Sequence, residues 1–315
     1  MASEETDGRG VLRTSDNLLV CNGCGTQYSS SSSKEECAIC DDARQFVPPG
    51  GQSFTTLAEM RKKYKNEWWQ DAVNEKIWFC QTVPQFSVGE RFEIIRTESG
   101  NVMWDMIALL DQPTVDKINE LGGIKAIVIS HPHYYTTWAD WSRSFNCPVF
   151  LGAPDKRWVQ RRDAFGADLR FLEEAYTRIL PDEIDGVTAI LTGGHFDGSL
   201  LLHWEYQLFI ADTILATPSG VNPEPGKDGV VSFTFMWSIA NRIPMQPEAV
   251  LKIWERVRHL DFHTAFGAFK GQDIRTVNNE GPRETGGVKG RLLQSMKIYV
   301  KAMGWDAHSI LEEEL

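Results

Sequence analysis

Four of the six cysteines fall at positions 21, 24, 37 and 40, a C-x2-C-x12-C-x2-C array in a stretch too short to bury a hydrophobic core of its own. Each C-x-x-C turn offers two thiolates at the bite of a tetrahedral ion. Cys21, Cys24, Cys37 and Cys40 therefore read as the ligands of one structural zinc in a reducing compartment, not as disulfide partners. Rubredoxin-type iron and a redox-active thiol pair are the other uses of the same array. Cys80 and Cys147 have no basic neighbour in sequence to lower their pKa, and read as small buried residues.

Gly25, directly after Cys24, relaxes the backbone of the first turn as a zinc-ribbon or rubredoxin-like hook requires. Residues 1–16 are rich in Gly, Ser, Thr and charge and are expected as a flexible tail; residues 17–50 are expected as the four-cysteine metal-ribbon module. The Pro/Gly junction VPPGGQS at 47–53 then opens a main domain over 51–315. Thr56 and Glu59 have capping-box spacing, predicting a helix that runs toward Trp68 and Trp69. Beyond it RFEIIRT and VMWDMIALL read as a hairpin. Apolar runs (IKAIVIS, CPVFLG, VTAILTGG, LLLHWEY, LFIADTI) then mix with helical patterns (PTVDKINELGG, ADWSRSFN, DKRWVQRRDAF, PEAVLKIWERVRHL and one near KGRLLQSMKIYVKAMG), which implies a layered α/β domain.

Charge narrows the function. A net charge of −11 repels a phosphate backbone, so nucleic acid is not an expected partner. No apolar run is long enough to span a bilayer, and the polar, acidic N-terminus lacks a basic region followed by an apolar one, so a cytoplasmic location without membrane contact is expected. A small-molecule substrate is the remaining class.

Three strand ends carry metal-type donors. His131 and His133, in VISHPHYYTTW, stand two apart after an apolar run, and in extended backbone both imidazoles point the same way. His195 follows AILTGG in GGHFDGS, and Asp212 follows LFI in LFIADTI. All four lie where α/β sheets place their sites, at the C-terminal ends of strands. They read as the ligands of one further ion.

The segments ISHPH, GGHFDGS and LFIADTI, in this order and with GNVMWD upstream, resemble the metallo-β-lactamase fold superfamily over roughly residues 55–300. They are most similar to small members that carry an N-terminal zinc-ribbon-like segment with four cysteines, a GGQ stretch and HPH followed by an aromatic residue. The resemblance implies an αββα sandwich of two mixed sheets, with His131, His133, His195 and Asp212 at the first of the family's two metal positions. It also implies that Asp105 lies behind the ligands and orients an imidazole. The family motif H-x-H-x-D-H is broken here: Tyr135 stands where its Asp belongs and Thr136 where its next His belongs, and the late turn GAFKG at 267–271 has no histidine. Those positions supply the second ion, so a mononuclear site of zinc or iron is expected.

Three functions follow from such a site. One is a hydrolase that acts on a small-molecule ester, thioester, lactone or lactam through metal-activated water, with Asp212 and Tyr135 as the assisting groups. Another is a mononuclear non-haem iron oxidoreductase similar to the superfamily's persulfide dioxygenases. The last is a non-catalytic binding protein with a degenerate pocket. The loop TPSGVNPEPGKDG at 217–229 is the segment expected to shape substrate choice.

Overall fold

Strand-forming residues dominate the first half of the chain. The computed structural model describes residues 8–162, 164–180, 182–221, 231–276 and 287–315. Residues 1–7 of the expected tail and 222–229 of the expected specificity loop lie outside them. The chain divides into two compact units, Met1–Leu172 with Arg178–Asp185 and Glu173–Thr177 with Gly186–Leu315.

In the first unit β1 (Leu19–Cys21) pairs antiparallel with β2 (Phe54–Thr56), and the short helix α1 (Leu57–Met60) follows. A seven-stranded mixed sheet then runs in spatial order β3 (Lys65–Gln70), β4 (Ile77–Val83), β5 (Arg91–Arg96), β6 (Asn101–Trp104), β7 (Ala126–Val128), β8 (Pro148–Gly152) and β9 (Asp168–Leu172). β3 to β6 form an antiparallel meander; β6 to β9 are parallel. Every residue of β7 and β8 is buried, as strands flanked by crossovers require. The crossovers are helices, α2 (Gln112–Glu120) and α3 (Trp138–Phe145). Asp111 caps α2 by accepting from Thr114 N at 3.0 Å, and α3 stops at Asn146 in the left-handed region. Trp141 of α3 meets Phe92 of β5 edge-on, ring centroids 5.4 Å apart.

The second unit contains a six-stranded mixed sheet in the order β10 (Tyr176–Arg178), β11 (Thr188–Leu191), β12 (Leu200–Trp204), β13 (Gln207–Ala211), β18 (Thr264–Gly267) and β19 (Ile274–Arg275). Between β13 and β18 the chain makes two small ribbons, β14 (Leu215–Ala216) with β15 (Phe233–Thr234) and β16 (Met236–Ser238) with β17 (Ile243–Pro244), and the helices α4 (Pro218–Val221) and α5 (Pro247–Val257). The last helix is α6 (Gly287–Ala302). Ile190, Leu201, Leu208 and Ile210 of the sheet share one core with Val250, Ile253 and Trp254 of α5 and with Leu292, Met296 and Val300 of α6. The apolar stripe of each helix explains its place: spaced three and four apart, those residues form one face. Two mixed sheets with their own helices are what the family resemblance implies, and the chain resembles the metallo-β-lactamase fold in this respect.

Several expectations are corrected. Thr56 does cap a helix, accepting from Glu59 N at 3.3 Å, but α1 ends at Met60 and Trp68 and Trp69 belong to β3. There their indoles pack on Phe92 and on Phe79, both with centroids 5.3 Å apart, so aromatic packing across a sheet prevails over helical continuation. DKRWVQRRDAF gives only a 3-10 turn over Ala153–Trp158. The strand Ile77–Val83 has no counterpart in the sequence reading.

Residues 8–16 are not a loose tail: Ile124 N donates to the Gly8 carbonyl at 2.8 Å, Gly10 N to Asn119 Oδ1 at 2.7 Å and Val11 N to the Ser144 carbonyl at 2.8 Å. Asp140 in α3, fully buried, accepts from Ser15 N at 3.0 Å, Gln27 Nε2 at 3.2 Å, Arg161 at 2.9 Å and Arg143. The N-terminal segment and the cysteine segment thus share one polar anchor. Among the described residues no helix is long and apolar enough to cross a membrane.

Replacing Asp140 with Ala leaves the Arg161 guanidinium, 8% exposed, without its carboxylate. Breaking such a buried pair costs about 3–5 kcal/mol. The unfolding free energy of Asp140→Ala, read from urea titration, is expected to fall accordingly, whereas Arg170→Ala, which removes an exposed pair with Asp168, leaves it within about 1 kcal/mol of the parent.

Candidate metal centres

The backbone shapes the thiol cluster first. Cys21 ends β1, its N donates to the Thr26 carbonyl at 2.9 Å, and Gly25 N donates back to the Cys21 carbonyl at 2.9 Å. Gly25 closes this turn at φ +75°, a conformation that favours glycine. Cys37 and Cys40 come from a second turn, in which Asp41 N donates to the Cys37 carbonyl at 2.9 Å. All four cysteines are buried and carry free thiols, and their sulfurs lie within 4.8 Å of one another. Cys21 and Cys40 Sγ are 3.7 Å apart and Cys24 and Cys37 Sγ 3.5 Å, close to the ~3.8 Å edge of a tetrahedron with Zn–S bonds of about 2.3 Å. The donor set fits a tetrahedral thiophilic ion.

The surroundings treat the four sulfurs unequally. Gly23 N donates to Cys21 Sγ at 3.3 Å and Tyr28 Oη to Cys37 Sγ at 3.0 Å. Hydrogen bonds from Cys21, Cys24 and Cys40, with that from Tyr28, hold Cys37 well below the usual thiol range, while burial pushes Cys24 well above it. Four thiolates together need a cation, which is how metal binding couples to deprotonation. Burial also pushes Cys80 and Cys147 up; both are inert packing residues, as expected.

The second group is His131, His133, His195 and Asp212, all buried, with ligand atoms within 4.8 Å of one another. His131 lies in extended backbone just after β7, but His133 sits in a one-turn 3-10 helix, Pro132–Tyr134, so the fully extended geometry expected for the pair is corrected. The turn still brings the imidazoles together, centroids 5.0 Å apart at 76°. His195 follows two glycines at positive φ. Gly194 holds φ +100°, a conformation that favours glycine, and a Cβ there would also press on Met245 Cε at 2.9 Å. Asp212 comes directly after Ala211, whose φ of +42° turns the chain out of β13.

Two of the imidazoles have identifiable anchors. His195 Nδ1 lies 3.1 Å from the Met236 carbonyl, which can only accept, so Nδ1 carries the proton and Nε2 the ligand lone pair. His131 Nδ1 is 2.8 Å from Ser130 Oγ, and Ser130 N donates to Asp105 Oδ1 at 2.7 Å. Asp105 thus reaches the imidazole through Ser130. It occupies the left-handed region at φ +58°, its own N donating to the Val128 carbonyl at 2.8 Å. Three imidazoles and a carboxylate suit zinc and iron(II) alike.

Tyr135 and Thr136 are not part of that group. Tyr135 is 2% exposed, and its Oη has no hydrogen-bond partner among the described residues. Burial first, and the carboxylate of Asp155 second, push the phenol well above its ordinary value. Burial thus favours the neutral phenol. His263 is exposed and stacks on Tyr206, His203 Nε2 lies 3.0 Å from the Asp261 carbonyl, His259 meets the Tyr176 ring, and His308 Nδ1 accepts from Ile310 N. The sequence reading missed Ser130, Tyr28 and the Met236 carbonyl. Ser130 immediately precedes His131, yet its tie to Asp105 needs the parallel register Trp104↔Val128.

Tyr28→Phe removes the hydroxyl that serves Cys37. Loss of such a supporting bond weakens metal binding by about 10–100-fold. A competition titration with a zinc chelator is expected to show that fall at the thiolate site with all six thiols still present.

No family model matches the chain. Among solved structures it is similar to the mono-zinc form of the metallo-β-lactamase FIM-1 from Pseudomonas aeruginosa, 14% identical with a TM-score of 0.48, over 75% of this chain and 96% of that one. It is also similar to a metallo-β-lactamase from Erythrobacter litoralis, 10% identical with a TM-score of 0.49, over 73% and 95%. In sequence it is 34% identical over 251 residues to the uncharacterized protein YmaE of Bacillus subtilis (strain 168), spanning 79% of this chain and 88% of that protein. The chain belongs to the same family as YmaE.

Proposed function

We propose that the chain is a metal-dependent hydrolase with one ion in the pocket and a second, structural zinc in the cysteine site. The observation that carries this reading is the convergence of His131, His133, His195 and Asp212, buried and within 4.8 Å. A divalent ion bound there supplies Lewis acidity and water activation near neutral pH. The chain's own residues do the rest. The Met236 carbonyl and Ser130 fix the His195 and His131 rings, so the donors are held before substrate arrives. The Asp212 carboxylate is the group that accepts a proton from water, and the Tyr135 phenol, kept protonated by burial, is the assisting hydrogen-bond donor. The substrate class is a small ester, thioester, lactone or lactam.

The mononuclear reading rests on Tyr135 and Thr136, which stand where the family motif has an Asp and a His: a phenol kept protonated by burial and an alcohol are poor ligands for a second ion. A cytoplasmic location fits six free thiols, and the net charge of −11 argues against nucleic acid.

Elemental analysis of the purified protein is expected to give two metal equivalents per chain, and Asp212→Ala one. Hydrolysis of a panel covering the four carbonyl classes should stop on chelation and fall by at least about 100-fold in Asp212→Ala. Three equivalents per chain would overturn the mononuclear site. Iron with oxygen consumption and no hydrolysis would replace the hydrolase by an oxidoreductase.

A further inference from the structure

The turn that carries the cysteines rests on the turn that carries the histidines. Gln27, two residues beyond Gly25 in the knuckle, donates from its N to the carbonyl of Thr136, three residues beyond His133, at 3.0 Å. A Cβ on Gly25 would stand 3.2 Å from Thr136 Cγ2 and 3.1 Å from Ala108 Cβ, so the two turns are in direct contact. Thr136 itself holds φ +33°, which a β-branched residue keeps only when its surroundings impose it. The next residue, Thr137, donates from Oγ1 to the Ala108 carbonyl at 2.9 Å and begins α3. Gln27 grips that helix as well, through Asp140 and Arg161.

Gln27 therefore belongs to both structures. Its backbone lies in the knuckle that ends β1, pairing with Val20 in an isolated bridge, while its side chain and amide hold both ends of the Thr136–Asp140 segment. We infer that the cysteine knuckle is a positioning element for the histidine pair: Gly25 and Gln27 hold the turn Pro132–Thr136 so that His131 and His133 present their donors together. The knuckle's grip on that turn then sets the metal affinity of the pocket. The inference rests on the reading of the His/Asp group as a metal site.

The test uses the full chain, stripped of metal and titrated with cobalt(II). Thiolate-to-cobalt charge transfer reports the cysteine site, and the weaker ligand-field bands of a nitrogen and oxygen environment report the pocket. Gly25→Ala adds a methyl group against Thr136, and Gln27→Ala cuts the grip on Asp140 and Arg161; neither removes a ligand. Both variants are expected to keep the full thiolate band and to bind the pocket cobalt about 10-fold more weakly or worse, the usual cost of losing an outer support. A general loss of stability would instead lower the urea midpoint and weaken both sites together, and that result would overturn the positioning role. So would wild-type pocket affinity in both variants. Should Gly25→Ala disturb the thiolate band, Gln27→Ala decides alone by the same criterion. A parent protein that takes up no second cobalt at all would refute the pocket as a metal site, and this inference with it.

Discussion

The carboxylate of Asp140 organises the first unit. It is fully buried and is met by Ser15 N, Gln27, Arg143 and Arg161, which belong to four separate stretches of the chain. A charge so far from water persists only when its lone pairs are satisfied. The N-terminal segment, the cysteine knuckle and the loop after Trp158 therefore converge on α3 because α3 carries this group. Apolar packing seats the cysteine segment as well: Tyr28, Ile39 and the four cysteines cluster with Phe54 and Trp158, and Val20 joins Leu57, Met60, Phe86, Ala108 and Leu109.

Much of the site was legible in the sequence. His131, His133, His195 and Asp212 each follow an apolar run, and a strand end is the one place where such donors can gather from distant segments. The cysteines announced themselves by spacing alone. Helices with clear stripes, α2, α3 and α5, emerged where the periodicity put them. What stayed hidden depends on pairing that no local pattern records. Trp68 and Trp69 continued a helical pattern until Phe79 and Phe92 lay beside them. Gly, Ser and charge in residues 8–16 signalled disorder, whereas hydrogen bonds made by the backbone of that stretch with α2, α3 and the turn after α2 hold it in place. The link from Asp105 through Ser130 to His131 depends on the register of β6 against β7.

Part of the backbone strain lies beside the metal-type donors. Asp105, Thr136 and Ala211 all hold positive φ, and each lies beside or among the metal-type donors or their supports. Non-glycine residues in that region persist only where neighbours over-determine them. The donors are thus fixed at some cost to the backbone, which is the usual balance between a pre-organised site and the stability of the fold that carries it.

The long reach of the N-terminal contacts bears on how the chain is made. Gly10 meets Asn119 across 109 residues and Ser15 meets Asp140 across 125. Synthesised before α2 and α3, residues 8–40 have none of these partners until more than a hundred further residues have followed. Their four thiols, by contrast, are close in sequence and can gather around an ion at once. A metal captured during synthesis would keep this segment compact and shield its sulfurs from oxidation while the rest of its seat is still being translated.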